Sequence, residues 1–350
     1  MGRVDNREQL DAVVIDENIV NAAVNDNKKR IDYVASGNET DKPSFITVSL
    51  LKDCVAKGQQ EEPPHELIER VVVEHETTFL FGDTGQGKTI LAVQMACLIA
   101  ETGKKVLYVN FELSDQQMSM RYPGKVFPDS LYIATIDYSK MSDVTDQSHI
   151  LDEIQRLAIE YGIEVVFIDN FTNLCINSKE GSEAGNIMLQ LLAIRRTHDW
   201  TMVVLAHVPK RKPGDPLTLN DLAGSKLLSN LADNVVGINK SKKDKNMRYL
   251  IQLKSRSFPI ELDSKNVQEL VLTNSDGWLH FEYGGYSEET EHLPRSRDEK
   301  AELERDIVKE LKAGLSYRDI ADKLNTNSTF VWRVAKNNGF AKKSSKSSKS

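Results

Sequence analysis

The chain has 350 residues, 40% of them hydrophobic, and a formal net charge of −7 at pH 7, which suits one large α/β core plus a small extra module. No apolar run reaches the roughly 18 residues that a membrane-crossing helix needs, and the N-terminal MGRVDNREQL lacks the basic-then-apolar order of a signal peptide. The acidic balance excludes a protein that coats nucleic acid with its whole surface, while leaving local basic patches open.

Residues 1–42 are polar and rich in Asp and Asn, so a disordered lead is expected, with weak helical spacing over Ala12–Val24. Thr47–Ala56 has helical spacing, broken by Glu61-Glu62-Pro63-Pro64. Strand and helix signals then alternate: a strand Thr77–Phe81, a helix Ile90–Ala100 stopped by Gly103, a strand Lys105–Phe111, a helix Ser114–Tyr122 and a strand Leu131–Ile136. A helix Ile150–Tyr161, a strand Glu164–Ile168 ending in Asp169, a helix Gly185–Arg195 and a strand Thr201–Ala206 continue the series. Val235–Asn239, Arg248–Leu253 and Gly277–Tyr283 read as later strands of hairpin type. Such alternation predicts a mostly parallel sheet with helices on both faces over residues 43–284. Cys54, Cys97 and Cys175 lie far apart in or beside apolar segments, so buried free thiols in a cytoplasmic setting are expected and a metal site is not. A polar stretch, 285–297, reads as a linker. Three helical patterns follow within 298–340: Asp298–Ala313, a helix capped by Ser316, and, after the turn Asn325-Thr326-Asn327, a third closed near Gly339. Residues 341–350 form a basic lysine-serine tail.

Residues Gly82-Asp83-Thr84-Gly85-Gln86-Gly87-Lys88-Thr89 match G-x-x-x-x-G-K-[ST] between a strand and a helix, the context this motif requires. Glycine lets backbone N–H groups turn inward around phosphates, and the helix adds its positive end. Lys88 can reach the β- and γ-phosphates, and the Thr89 hydroxyl can ligand Mg²⁺. A nucleoside triphosphate ligand follows, with ATP and Mg²⁺ as the expected pair. Asp169, at the end of an apolar strand, is placed to support Mg²⁺, or else caps its strand. Glu112 follows the next strand and could orient an attacking water, or be a solvated loop carboxylate. His207 ends a neighbouring strand, where it could sense the γ-phosphate or be structural.

The order of Gly82–Thr89, Glu112 and Asp169 resembles the RecA-like P-loop ATPase core, more specifically the hexameric replicative helicases of the DnaB and RepA plasmid type. Asp221-Leu-Ala-Gly-Ser-Lys, Asn230-Leu-Ala-Asp233 and Lys254-Ser-Arg256 extend the likeness, which covers about residues 63–284. The resemblance implies that Glu112 is the catalytic glutamate and that His207 links phosphate to the DNA loops. It also implies that Lys254 and Arg256 reach the next subunit's nucleotide in a ring of identical copies. An arginine supplied in trans suits this role because its planar fork matches transition-state oxygens. By spacing alone, the pair is equally an outward-facing charged pair.

Lys210, Arg211 and Lys212, set among prolines and a glycine, suggest a basic loop that contacts the phosphates of single-stranded DNA, or a merely solvated one. The C-terminal helices resemble the helix-turn-helix of resolvases and sigma-like regulators. Asn327, Ser328, Thr329, Trp332, Arg333 and Lys336 are the candidates for contacting duplex DNA there, with the alternative of a protein-binding bundle. No N-terminal primase-binding domain is recognised. The expected function is ATP hydrolysis coupled to DNA, as an oligomeric helicase or translocase of a plasmid or mobile element. The alternative is an ATP-switched, site-specific DNA-binding regulator or replication-initiation protein that does not unwind.

Overall fold

The computed structural model describes residues 46–340 apart from 138, 140–147, 175–180, 209–210, 212–214, 223–225 and 295–296. The polar lead 1–42, Cys175, Lys210, Lys212 and the tail 341–350 therefore lie outside the described residues. The chain divides into two units, Met1–Pro63 and Pro64–Ser350. In the first, a helix α1 (Leu51–Gly58) begins four residues later than the apolar spacing predicts, with Leu50 as its N-cap accepting from the Asp53 and Cys54 N–H groups. Cys54 on this helix is exposed, contrary to the expectation of a buried thiol.

The second unit opens with a small antiparallel pair, β1 (Glu66–Ile68) and β2 (Val72–Val73). It then builds a nine-stranded sheet in the order β11-β10-β9-β8-β3-β7-β6-β4-β5. Its strands are β3 (Thr77–Gly82), β4 (Val106–Asn110), β5 (Leu131–Thr135), β6 (Val165–Asp169), β7 (Thr201–His207), β8 (Asn234–Lys240), β9 (Met247–Lys254), β10 (Val267–Ser275) and β11 (Trp278–Ser287). The six strands from β8 to β5 along the sheet are parallel, and β9, β10 and β11 extend it antiparallel.

The helices between them are α2 (Lys88–Glu101), α3 (Asp115–Arg121), α4 (Ser148–Tyr161), α5 (Phe171–Leu174), α6 (Gly181–His198) and α7 (Lys226–Leu231). Strand periodicity sorts the core into two layers. Phe79, Phe81, Leu107, Val109, Val166 and Ile168 meet Leu151, Ile154, Met188 and Leu191 on one face. Leu80, Val106, Tyr108, Val165 and Phe167 meet Leu91, Met95 and Ile99 of α2 on the other. Helix α2 is apolar nearly all round, as a helix packed into a core must be. Each fully buried Leu, Ile or Phe in these layers stabilises the fold by roughly 1.5–3 kcal/mol.

Two differences from the sequence reading concern the end of the core. Strand β10 is absent from that reading, because Val267–Ser275 interleaves Gln268, Glu269 and Asn274 with its apolar residues. The polar stretch read as a linker is partly core. Strand β11 runs to Ser287, and both Glu289 and His292 are buried. The His292 ring lies 4.8 Å from that of Tyr249, and its two nitrogens are satisfied by Ser287 Oγ and Ser241 Oγ at 2.7 and 2.8 Å. A polar sequence is here buried by pairing rather than left in solvent.

Three further helices, α8 (Arg297–Lys312), α9 (Tyr317–Lys323) and α10 (Ser328–Asn337), enclose Ile307, Ile320, Ala321, Val331 and Val334. Ser316 caps α9 by accepting from the Asp319 N–H, and Asn327 caps α10 by accepting from the Phe330 N–H. Asn325 turns the chain between them with a φ of 45°. No helix among the described residues is long and apolar enough to cross a membrane.

Candidate active site

The register of the sheet brings the candidate residues together. Gly82 at the tip of β3 is paired with His207 at the tip of β7, and Asn110 at the tip of β4 with Asp169 at the tip of β6. Since β7 also pairs with β6, four adjacent strands deliver their carboxyl ends to one edge, where ligands bind in open α/β sheets.

Gly85 and Gly87 hold the loop with φ of 76° and 97°, values that favour glycine. Space at Gly85 is open, whereas a Cβ on Gly87 would stand 2.7 Å from Cζ of Phe281 on β11. Strand β11 is further tied to α2 by Gln94, whose side-chain amide donates to the Phe281 carbonyl and accepts from its N–H. Arg248 Nε donates to the Gln86 carbonyl at 3.0 Å. The loop is thereby held from the antiparallel side of the sheet.

Lys88 is buried, and its Nζ donates to the carbonyls of Gly82 and Asp83 at 2.7 and 3.1 Å and faces His207 Nδ1 at 3.3 Å. Burial pushes this ammonium down to about 8, against the pull of Asp169, Glu112 and Asp83. Asp169 is also buried, and desolvation raises its carboxyl against hydrogen bonds from Thr89 and Tyr108. The Tyr108 hydroxyl donates to Asp169 Oδ2 at 2.8 Å. A hydroxyl beside one buried carboxylate is an oxygen-only donor set, and no group of three or more His, Cys, Asp or Glu gathers among the described residues. This set fits Mg²⁺, which keeps several waters and takes its other ligands from phosphates.

Opposite Lys88, Glu112, Asn170 and His207 form one cluster. The Asn170 amide nitrogen donates to Glu112 Oε1 and lies 2.9 Å from His207 Nε2. The same imidazole nitrogen is 3.3 Å from Glu112 Oε1. Glu112 keeps part of its surface exposed, so water can reach its carboxylate.

The sheet edge thus gathers loop residues 82–89 with Glu112, Asp169 and His207, all singled out in the sequence, and adds Tyr108 and Asn170 to them. A family model described as an AAA domain matches residues 47–213. The core has the RecA-like P-loop NTPase fold. Similar curated proteins include the DNA repair protein RadA of Chlamydia muridarum, 28% identical over 205 residues, covering 58% of this chain and 40% of that one. RadA of Halalkalibacterium halodurans is 27% identical over 223 residues, covering 60% of this chain and 43% of that one. The chain thus spans about two fifths of the length of these relatives. Among solved structures, a KaiC-like protein of Pyrococcus horikoshii OT3 is 16% identical with a TM-score of 0.47, over 60% of this chain and 91% of that one.

Other expected residues stand apart from the ATPase site. Lys254 Nζ donates to the carbonyls of Ser229, Asn230 and Ala232, closing the end of α7. Arg256 pairs with Asp233 at 2.8 Å, and the same carboxylate accepts from the Thr77 N–H. Thr77 begins the strand that ends at Gly82, so Arg256 lies about 16 Å along the sheet from the phosphate loop of its own chain. The exposed basic loop needs correction at Arg211. Its side chain is buried against Asp83 at 3.1 Å and donates to Asn239 Oδ1 at 3.0 Å, so it braces the phosphate loop instead of facing solvent. Ser328, Thr329, Trp332, Arg333 and Lys336 are all exposed on α10, with the Lys336 ammonium 5.2 Å over the Trp332 ring.

Sequence reasoning missed Asn170, Tyr108, Arg211 as a brace and Arg248. Only Asn170, next to Asp169 at a strand tip, carried a local signal.

Proposed function

We propose that this ATPase works as an assembly of identical copies, a ring of the hexameric helicase type, with nucleotide held between neighbours and hydrolysis coupled to DNA in the cytoplasm. The carrying observation is the convergence of Lys88, Thr89, Asp169, Glu112 and His207 on one sheet edge while Arg256 sits at the other. An arginine that cannot reach its own chain's phosphates can serve a neighbour's. The RadA relatives are DNA repair proteins by name, which supports DNA as the coupled partner.

In this reading Lys88 exchanges the Gly82 and Asp83 carbonyls for phosphate oxygens, and the loop N–H groups bind the same anion. Thr89 and Asp169 would hold Mg²⁺, which would supply positive charge against the phosphate oxygens. Glu112 accepts a hydrogen bond from the attacking water and orients it, His207 registers the phosphate through Lys88, and Arg256 with Lys254 completes the neighbouring site. Single-stranded DNA would follow the loops after β6 and β7, Lys210 and Lys212 among them. Duplex DNA would take the exposed face of α10 as a helix-turn-helix.

The exposed Trp332, Arg333 and Lys336 favour a second reading, in which ATP switches site-specific duplex binding without unwinding. Steady-state ATP turnover measured without DNA, with single strands and with duplex separates the two. Stimulation by single strands is expected. Stimulation by duplex alone, or by neither, would overturn the motor in favour of the switch.

A further inference from the structure

We infer that Asn170 is a positioning residue for hydrolysis, whose side-chain amide holds Glu112 in place and joins it to His207. The inference rests on the reading of Glu112 as the carboxylate that orients water.

Asn170 follows Asp169 directly at the tip of β6 and is 1% exposed. A buried primary amide has two N–H donors and one carbonyl acceptor to satisfy. Here the nitrogen donates to Glu112 Oε1 and contacts His207 Nε2 at 2.9 Å, and the oxygen accepts from the Asn173 N–H at 3.3 Å as it opens the short helix α5. The amide therefore does two separable things. Its oxygen serves the backbone, and its nitrogen serves the two side chains that face the attacking water and the phosphate.

The imidazole defines when each donor is used. Nδ1 faces the Lys88 ammonium donor at 3.3 Å, and Nε2 faces Glu112 Oε1 at 3.3 Å and the Asn170 nitrogen, which can only donate, at 2.9 Å. Once Lys88 turns to phosphate, Nδ1 loses that donor, the ring can carry its proton there, and Nε2 can accept the second Asn170 N–H. Asn170 donates to Glu112 in both arrangements. It fixes the carboxylate while the histidine changes partner, so the water acceptor keeps its place as the phosphate is sensed. Positioning of this kind acts on turnover more than on nucleotide affinity, because the water is not part of the bound nucleotide.

The test uses the full-length chain. Asn170→Asp keeps an oxygen for the Asn173 N–H, since Asp and Asn serve helix N-termini equally well, but removes both donors. Asn170→Ala removes everything, and Glu112→Gln is the reference. Turnover (kcat and KM), affinity for a fluorescent ATP analogue and the thermal midpoint are measured for each. The inference expects kcat to fall by about 10- to 100-fold in Asn170→Asp and Asn170→Ala, with affinity within about threefold of wild type. A purely structural role would instead leave kcat of Asn170→Asp within twofold, or lower kcat only in step with affinity and midpoint, and either result overturns the inference. If Asn170→Asp does not fold, the same criteria apply to Asn170→Ala. Should Glu112→Gln abolish turnover while both Asn170 variants keep it, the inference alone is wrong. If Glu112→Gln keeps full turnover, the reading of Glu112 beneath it is wrong as well.

Discussion

Gly87 shows how tightly single residues are constrained around the phosphate loop. It needs a φ of 97°, and a Cβ there would overlap the Phe281 ring. Gly87→Ala is expected to cost about 1–3 kcal/mol of stability and to weaken nucleotide binding strongly, read by thermal denaturation and by analogue titration. Unchanged affinity would mean that β11 does not shape the loop. The loop itself was legible from sequence because phosphate chemistry dictates its spacing. Glu112, Asp169 and His207 were legible as polar residues at the carboxyl ends of apolar strands. Arg248 was not, because its partner Gln86 lies 162 residues away and only the sheet order brings them together. Arg211 misled for the same reason: a basic residue between prolines reads as exposed until Asp83 and Asn239 are placed beside it.

At the scale of elements, the alternating strands and helices of the parallel half were readable because its inner strands are buried on both faces and written mostly in apolar residues. The antiparallel half was harder, since β10 and the end of β11 carry polar residues satisfied by partners distant in sequence: Glu269 accepts from Ser287 and from Lys243. His292 belongs to this half. Burial, with help from Lys243, holds its imidazole below the ordinary histidine range despite Glu269 and Glu291. The sign follows from which state takes the proton first. As pH falls through about 6.5 the unfolded chain binds a proton that the folded chain refuses, so stability is full above that pH and lost below it. The thermal midpoint is therefore expected to fall between pH 7 and pH 5.5, and to fall less steeply in His292→Gln. Equal slopes in the two proteins would assign the acid sensitivity elsewhere.

For the molecule as a whole, the proposed contacts with a neighbouring copy and with duplex rest on the separation of Arg256 from its own phosphate loop and on the exposed basic and aromatic face of α10. Arg333→Ala and Lys336→Ala are each expected to weaken duplex binding by roughly tenfold near 0.1 M salt and to flatten its salt dependence. Duplex affinity that ignores both substitutions would make the three-helix module a protein contact. Everything proposed for the assembly presupposes that the converged edge of the sheet hydrolyses ATP. The direct measurement is steady-state ATP turnover beside analogue binding for the wild type, Lys88→Ala and Glu112→Gln. Lys88→Ala is expected to lose both binding and turnover, and Glu112→Gln to bind normally while turnover falls by about 100-fold or more. Wild-type turnover in either variant would contradict the assignment of this site.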